Sequence, residues 1–288
     1  MGAAVRLGVS VDALAALTAH VRVETEGLPA DPQVRELLAD IAAELLGDHG
    51  VDVAGAAPVV GLAGTFLRQA AELIENPGRS GRWDQVDVPL LQSIGRLSMA
   101  ISDAVRIAEG ELPELGQRLT APGASFLDVG TGTGWLAIAI ARSHPGLRVV
   151  GIDIFEPALS LARANVAAQG MADRVELRLQ DAVALDDAAV YDAAWLPMPF
   201  LPAGIVSQVM AAAAASLRPG GWLLAGTFTG ADDRLSHLLA NLRTVRSGGH
   251  PWCVDDLLPV IAAAGFVDVG EVPRTWSAPV RLYAGRRP

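Results

Sequence analysis

Lysine is absent from this chain: its 22 basic side chains are all arginine. A phosphate-loop nucleotide hydrolase needs a lysine against the phosphates, and pyridoxal-phosphate chemistry needs one for its Schiff base, so both classes are excluded. Cysteine is nearly absent too. Cys253 stands alone, which leaves no internal disulfide and no cysteine-based zinc site. Its Pro-Trp-Cys-Val setting reads as a small buried apolar residue. Positive charge is scarce, with a net charge of −10, whereas a nucleic-acid surface needs a basic face. The late arginines Arg274, Arg281, Arg286 and Arg287 read as a solvated edge. An unbroken membrane run is also missing. Residues 193–217 carry no charge and match a spanning helix by length, but Pro197, Pro199, Pro202 and Gly204 break the stretch. Asp12 interrupts the one signal-like run, and Arg6 spoils a myristoylation match. The expectations are no nucleic-acid partner, no membrane association and a cytoplasmic protein.

What is present is an apolar composition, 51% hydrophobic and 19% charged over 288 residues, which fits one large or two modest globular domains. Residues 1–118 read as successive helices. Ser10 is a candidate cap for a first helix through Val21, and Asp31-Pro32 opens a second with Val34, Leu37, Leu38, Ile41 and Leu45 on one face. Val59, Leu62, Phe66, Ala70 and Leu73 repeat the spacing up to Asn76-Pro77-Gly78, and Leu90, Ile94, Leu97, Ile101 and Val105 repeat it again. These form a helical cap domain, 1–118, joined to a body, 119–288, near Thr120-Ala121-Pro122-Gly123.

The body opens on Ser125-Phe126-Leu127-Asp128-Val129-Gly130-Thr131-Gly132-Thr133-Gly134, followed at once by the helical pattern from Trp135. Strand, glycine turn and helix in that order build a small-molecule cradle at the strand ends of an open α/β sheet. Glycines allow positive φ and close backbone approach, and the helix N-terminus offers unpaired N–H groups. A second apolar strand, Val149-Val150-Gly151-Ile152, ends in Asp153. That acid falls near the offset of about 20 residues at which ribose hydroxyls are held. A third, Val175 to Leu179, runs into Gln180-Asp181.

This set resembles the class I S-adenosylmethionine-dependent methyltransferases over residues 119–288. The resemblance implies an α/β, Rossmann-like seven-stranded methyltransferase sheet with its last strand antiparallel, behind an N-terminal all-helical cap. It implies S-adenosyl-L-methionine as cofactor and S-adenosyl-L-homocysteine as product. By that likeness Asp128, Gly130, Thr131, Gly132 and Gly134 wrap the methionine part, Asp153 holds the ribose, and Asp181 with Ala182 meets the adenine amino group. Ile154 and Phe155 sit against the adenine face, and Leu196 and Pro197 end the fourth strand beside the cofactor. Met198, Phe200, Trp83 and Trp252 are expected in the substrate pocket, with Gln92 and Arg96 as candidates to approach the cofactor carboxylate or the substrate. Ala264 to Val269 and Val280 to Ala284 correspond to the last two strands, and Asp192 reads as a structural turn residue.

The chain departs from the family's better-marked branches. The histidine that plant-type O-methyltransferases carry after strand four is missing, as is the acid–asparagine pair of the metal-dependent catechol type. Leu196-Pro197-Met198-Pro199-Phe200 resembles the Asn-Pro-Pro-Tyr signature of amino-methylating enzymes without its polar first residue. Candidate bases are His250, in Gly-Gly-His-Pro-Trp, and the acids Glu24 and Asp84. A neutral amine or electron-rich carbon acceptor needs none. The expectation is metal-independent methyl transfer to a small aromatic or heteroaromatic metabolite at carbon, nitrogen or oxygen, by a homo-oligomer, in a biosynthetic setting. Two alternatives stay open. One is an NAD(P)-dependent oxidoreductase, which matches Gly132-x-Gly134-x-x-Ala137 but wants an apolar residue at Asp128 and a small one at Trp135. The other is a protein of this fold that binds the cofactor without transfer.

Overall fold

Asp31 and Asp87 start their helices in the same way, each followed within two residues by a proline that has no N–H to leave unpaired. Asp31 accepts from the N–H groups of Gln33 (2.9 Å) and Val34 (3.3 Å), and Asp87 from that of Leu90 (2.8 Å). The computed structural model describes residues 2–47, 57–83, 87–230, 233–276 and 278–288, and it divides into two compact units, Met1–Pro77 and Gly78–Pro288.

The first unit holds α1 (Gly2–Glu26), α2 (Pro32–Leu46) and α3 (Ala57–Glu75). Helix α1 runs straight through Ser10 instead of starting there. The stripe on α2 is real, but Val34, Leu37, Ile41 and Leu45 are exposed and only Ala42 is buried. No described helix is long and apolar enough to cross a membrane.

The second unit begins with α4 (Val88–Glu111) and α5 (Pro113–Leu119), so the division lies at 77/78 where the periodicity suggested 118/119. The reason is packing. Ala104, Val105 and Ala108 of α4 share one core cluster with Trp135, Leu136 and Ile140 of α6 (Trp135–Ser143). Glu109 of α4 meets His144 at 2.8 Å and Ser102 meets Ser143 at 3.0 Å. Helical periodicity marks an element and its apolar face, but not the partner that covers it.

The sheet comprises β1 (Ser125–Val129), β2 (Arg148–Asp153), β3 (Val175–Leu179), β4 (Tyr191–Pro197), β5 (Leu217–Phe228), β6 (Val267–Glu271) and β7 (Val280–Arg286). Its order is β3-β2-β1-β4-β5-β7-β6. The strands from β3 across to β5 pair in parallel, and β7 runs antiparallel to both β5 and β6. Helices α7 (Glu156–Ala168), α8 (Ala203–Ser216), α9 (Arg234–Arg246) and α10 (Val254–Ala263) complete the unit. Every residue of β1 and β4 is buried, as expected of central strands covered on both faces. Alternate side chains feed opposite cores: Phe126, Ala193 and Trp195 on one face, Leu127, Ala194 and Leu196 on the other. Because β1 and β4 are neighbours while their connections leave in opposite directions, the order reverses between them. In open α/β sheets ligands bind outside the carboxyl ends of the strands at such a reversal.

At the amino end of β4, Asp192 is buried. It accepts from the Ser125 N–H (2.9 Å), pairs with Arg218 and lies 3.5 Å from the Arg118 guanidinium. Its role is structural, as its place before the apolar strand suggested.

Candidate cofactor site

The turn after β1 is built from backbone freedom. Gly130, Gly132 and Gly134 have φ of 65°, 56° and 79°, a region that costs other residues about 1–2 kcal/mol. The three glycines serve different neighbours. A Cβ on Gly130 would lie 3.1 Å from Pro197 of β4, and one on Gly134 would lie 3.1 Å from Ala162 of α7. A Cβ on Gly132 would meet nothing nearer than the Gly130 carbonyl at 4.0 Å. The space before Gly132 is open.

Two carboxylates hold this turn. Asp128 is 1% exposed and accepts from the Thr131 hydroxyl at 2.7 Å. Burial pushes its carboxyl up to about 7, the Thr131 bond opposes that, and the charge of Asp153 adds to it. Asp153 accepts from the Gly132 N–H (2.7 Å) and the Phe155 N–H (2.8 Å). It too is raised, chiefly by burial, with the backbone N–H groups pulling the other way. The second strand end and the glycine turn are thus tied through one side chain. Beyond them Asp181 is exposed and caps the short turn Ala182–Ala184 by accepting from the Val183 N–H at 2.9 Å. Ile154 is 71% exposed beside half-buried Phe155, an apolar surface left open at the edge.

The other half of the edge is aromatic. Trp83 and Phe200 meet edge to face at 4.9 Å between ring centroids, and Phe200 meets Phe228, at the end of β5, at 5.9 Å. Leu196 and Met198 are fully buried in the core under α8 and α10, so neither side chain faces open space. Pro197 is buried against Gly130. The loop before α10 closes on this end: a Cβ on Gly249 would collide with the Pro199 carbonyl. The ring of exposed His250 lies 4.7 Å from that of Trp252, whose buried Nε1 finds no partner among the described residues.

The remaining candidates fall elsewhere. Glu24 belongs to the first unit and pairs with Arg35 at 2.8 Å. Asp84 lies outside the described residues. Cys253, expected to be buried, is exposed and donates to Asp256 at 2.9 Å, because it stands at the N-cap of α10, where the chain turns at the surface. Among the described residues no group of three His, Cys, Asp or Glu side chains could hold a metal ion.

Sequence reasoning missed Phe228 and Asn165. Phe228 ends a strand whose carboxyl edge could have flagged it, whereas Asn165 sits within a helix and carries no local signal. Gln92 and Arg96, expected near the ligand, lie against Trp135. Gln92 accepts from its indole N–H at 2.7 Å, and the Arg96 guanidinium lies 5.5 Å from its ring centroid.

A doubly wound sheet with its last strand antiparallel, a glycine turn at the strand reversal and an acid at three successive strand ends defines a nucleoside-binding α/β domain. Residues 126–221 match the family model described as a methyltransferase domain, and the sheet around them has the order and the antiparallel last strand of the Rossmann-like methyltransferase fold. The chain is 30% identical over 156 residues to a release factor glutamine methyltransferase of Gloeobacter violaceus, covering 43% of this chain and 54% of that protein. It is 31% identical over 186 residues to the methyltransferase GfsG of Streptomyces halstedii, covering 57% and 65%. It therefore spans between about half and two thirds of those relatives' lengths. The crystal structure of human N-acetylserotonin methyltransferase with S-adenosylmethionine shares the fold, with a TM-score of 0.66, 17% identity, and coverage of 99% of this chain and 97% of that one.

Proposed function

We propose that this protein transfers the methyl group of S-adenosylmethionine, without a metal, to a small aromatic or heteroaromatic metabolite. The observation that carries the reading is the split carboxyl edge, with glycines and acids on β1 to β3 and an aromatic cluster on β4 and β5. The residues suit the cofactor. The space before Gly132 is open, and Asp153 holds a carboxylate fixed by two backbone N–H groups beside it. In this reading Asp153 takes the ribose hydroxyls, Asp181 the adenine edge, and Ile154 and Phe155 the adenine face.

The bound cofactor supplies an activated sulfonium methyl. The protein then has to align an acceptor with it and exclude water. Trp83, Phe200 and Phe228 give an apolar wall for a planar ring, with edge-to-face geometry an aromatic acceptor can join. In this reading His250, exposed on the loop whose Gly249 packs against Pro199, takes the proton from a hydroxyl acceptor. A glutamine amide acceptor, as the name of the Gloeobacter relative implies for that protein, fits less well, because the wall of Trp83, Phe200 and Phe228 suits a planar ring better than an amide. Self-association is part of the proposal: the exposed apolar stripe of α2 supports it, and light scattering of the purified chain tests it.

Calorimetric titration with S-adenosylhomocysteine, S-adenosylmethionine and NAD(H) tests the cofactor, and a radiolabelled methyl group offered with phenols, N-heteroaromatics and a glutamine peptide tests the acceptor. Binding of NAD(H) alone overturns the proposal. Label on the peptide alone moves the acceptor to the protein class.

A further inference from the structure

Three flexible residues in seven make the glycine turn costly to order, because each glycine loses more backbone freedom than any other residue. Thr133, itself buried, is the weak joint of the turn, flanked by Gly132 and Gly134, both at positive φ. A peptide hinged on both sides holds one orientation only if something outside the turn pins it. Two side chains do so. Asn165 of α7 donates to the Thr133 carbonyl at 2.8 Å. Gln92 of α4 exchanges a pair of hydrogen bonds with Asn165, both 3.1 Å, and accepts from the Trp135 indole N–H at 2.7 Å. Gly95, one turn further along α4, lets that helix come into van der Waals contact. A Cβ there would sit 2.9 Å from Trp135 Cδ1 and closer still to Thr133 Oγ1.

We infer that Gln92 is a positioning residue: through Trp135 and Asn165 it holds the glycine turn ready for the S-adenosyl ligand without touching it. The inference rests on the S-adenosylmethionine reading of this site. Its physical content is preorganisation, since a turn already held in its bound form loses less freedom on binding. A loss of preorganisation weakens ground state and transition state alike, so it raises KM for the cofactor and leaves kcat unchanged.

The test is the affinity of S-adenosylhomocysteine, by calorimetry, for the full chain and for Gln92→Leu, Trp135→Phe and the double variant. Trp135→Phe, which loses one hydrogen bond, is expected to raise Kd about tenfold, and Gln92→Leu, which loses that bond and both to Asn165, by at least as much. The double variant is expected to match Gln92→Leu rather than multiply the singles, because that change already removes the Trp135 bond along with both bonds to Asn165. Once an acceptor is in hand, KM for S-adenosylmethionine should rise with kcat within twofold. A Gln92→Leu protein that melts earlier but binds S-adenosylhomocysteine within twofold of wild type overturns the inference, as does a multiplicative double variant. If Gln92→Leu does not fold, Gln92→Met, of similar length and without a hydrogen-bonding amide, takes its place beside Trp135→Phe, which exchanges the indole for a smaller ring that cannot donate. Failure of the wild-type protein to bind S-adenosylhomocysteine sinks the cofactor reading instead.

Discussion

The two halves of the sheet's carboxyl edge are built on different principles. On the β1 to β3 side the chain relies on backbone: three glycines at positive φ and carboxylates that accept from backbone N–H groups or a neighbouring hydroxyl. On the β4 and β5 side it relies on side-chain bulk: Trp83, Phe200, Phe228 and Trp252, drawn from three loops and a strand end. A half made of backbone and acids can hold the same charged, hydroxyl-rich ligand in many proteins. A half made of rings can change its ligand with each substitution while the fold stays put. The proposed division of labour between cofactor and acceptor follows from that difference in material.

The comparison can be broken at its polar half first. Asp153→Ala removes the carboxylate that ties β2 to the glycine turn, and its loss is expected to weaken S-adenosylhomocysteine about a hundredfold by calorimetry, for two charge-assisted hydrogen bonds. Next in size is Asp128→Asn. The carboxyl of Asp128 stands at about 7 in the folded chain against 3.8 ordinarily. Between those values the native state binds the extra proton, so this group makes stability fall as pH rises from about 4 to 7 and level off above. Removing the charge should flatten that slope. Ligand-free Asp128→Asn is expected to melt closer to wild type at pH 5 and above it at pH 8, by a few kcal/mol of relieved desolvation.

At the aromatic half, Phe200→Ala is expected to raise KM for the acceptor about tenfold while S-adenosylhomocysteine affinity stays within twofold, since the ring lies on the other side of the strand reversal. Equal losses for both ligands would erase the distinction between the halves. The glycines sharpen it more finely. Gly132→Ala should lower affinity more than melting temperature, because its Cβ enters open space, and Gly134→Ala the reverse, because its Cβ meets Ala162; the strain in either case is about 1–2 kcal/mol. The smallest effect lies away from the edge. Glu109 raises the titration of buried His144, a contribution fully present below about pH 6.5 and lost as pH rises through the folded value. Glu109→Gln should therefore lower the melting temperature at pH 6 and change it little at pH 9.

What could be read from residues alone follows their range of action. Positive φ and the change from a two-residue to a 3.6-residue period are local, so the strand–turn–helix at 125–141 and the acids at 128, 153 and 181 stood out in the sequence, while the seven-stranded sheet with its last strand antiparallel followed from the family resemblance. Asp31 and Asp192 were legible for the same reason: a cap or a turn acid acts within a few residues or sits at a marked strand end. The boundary between the units was not. Helix α4 has the same amphipathic pattern as α2, yet α4 buries its stripe on α6 and α2 leaves its own exposed.

The sequence by itself therefore determined the elements, the glycine turn and the acids at the strand ends, because these depend on backbone conformation and nearby residues. Only the tertiary structure decided that Leu196 and Met198 are core, that Trp83 meets Phe200 and Phe228, and that Gln92 reaches Trp135 and Asn165. Those pairings join residues far apart in the chain. Their free energy comes from burial and from hydrogen bonds that exist only once separate elements have packed, and no local pattern records which surfaces will meet.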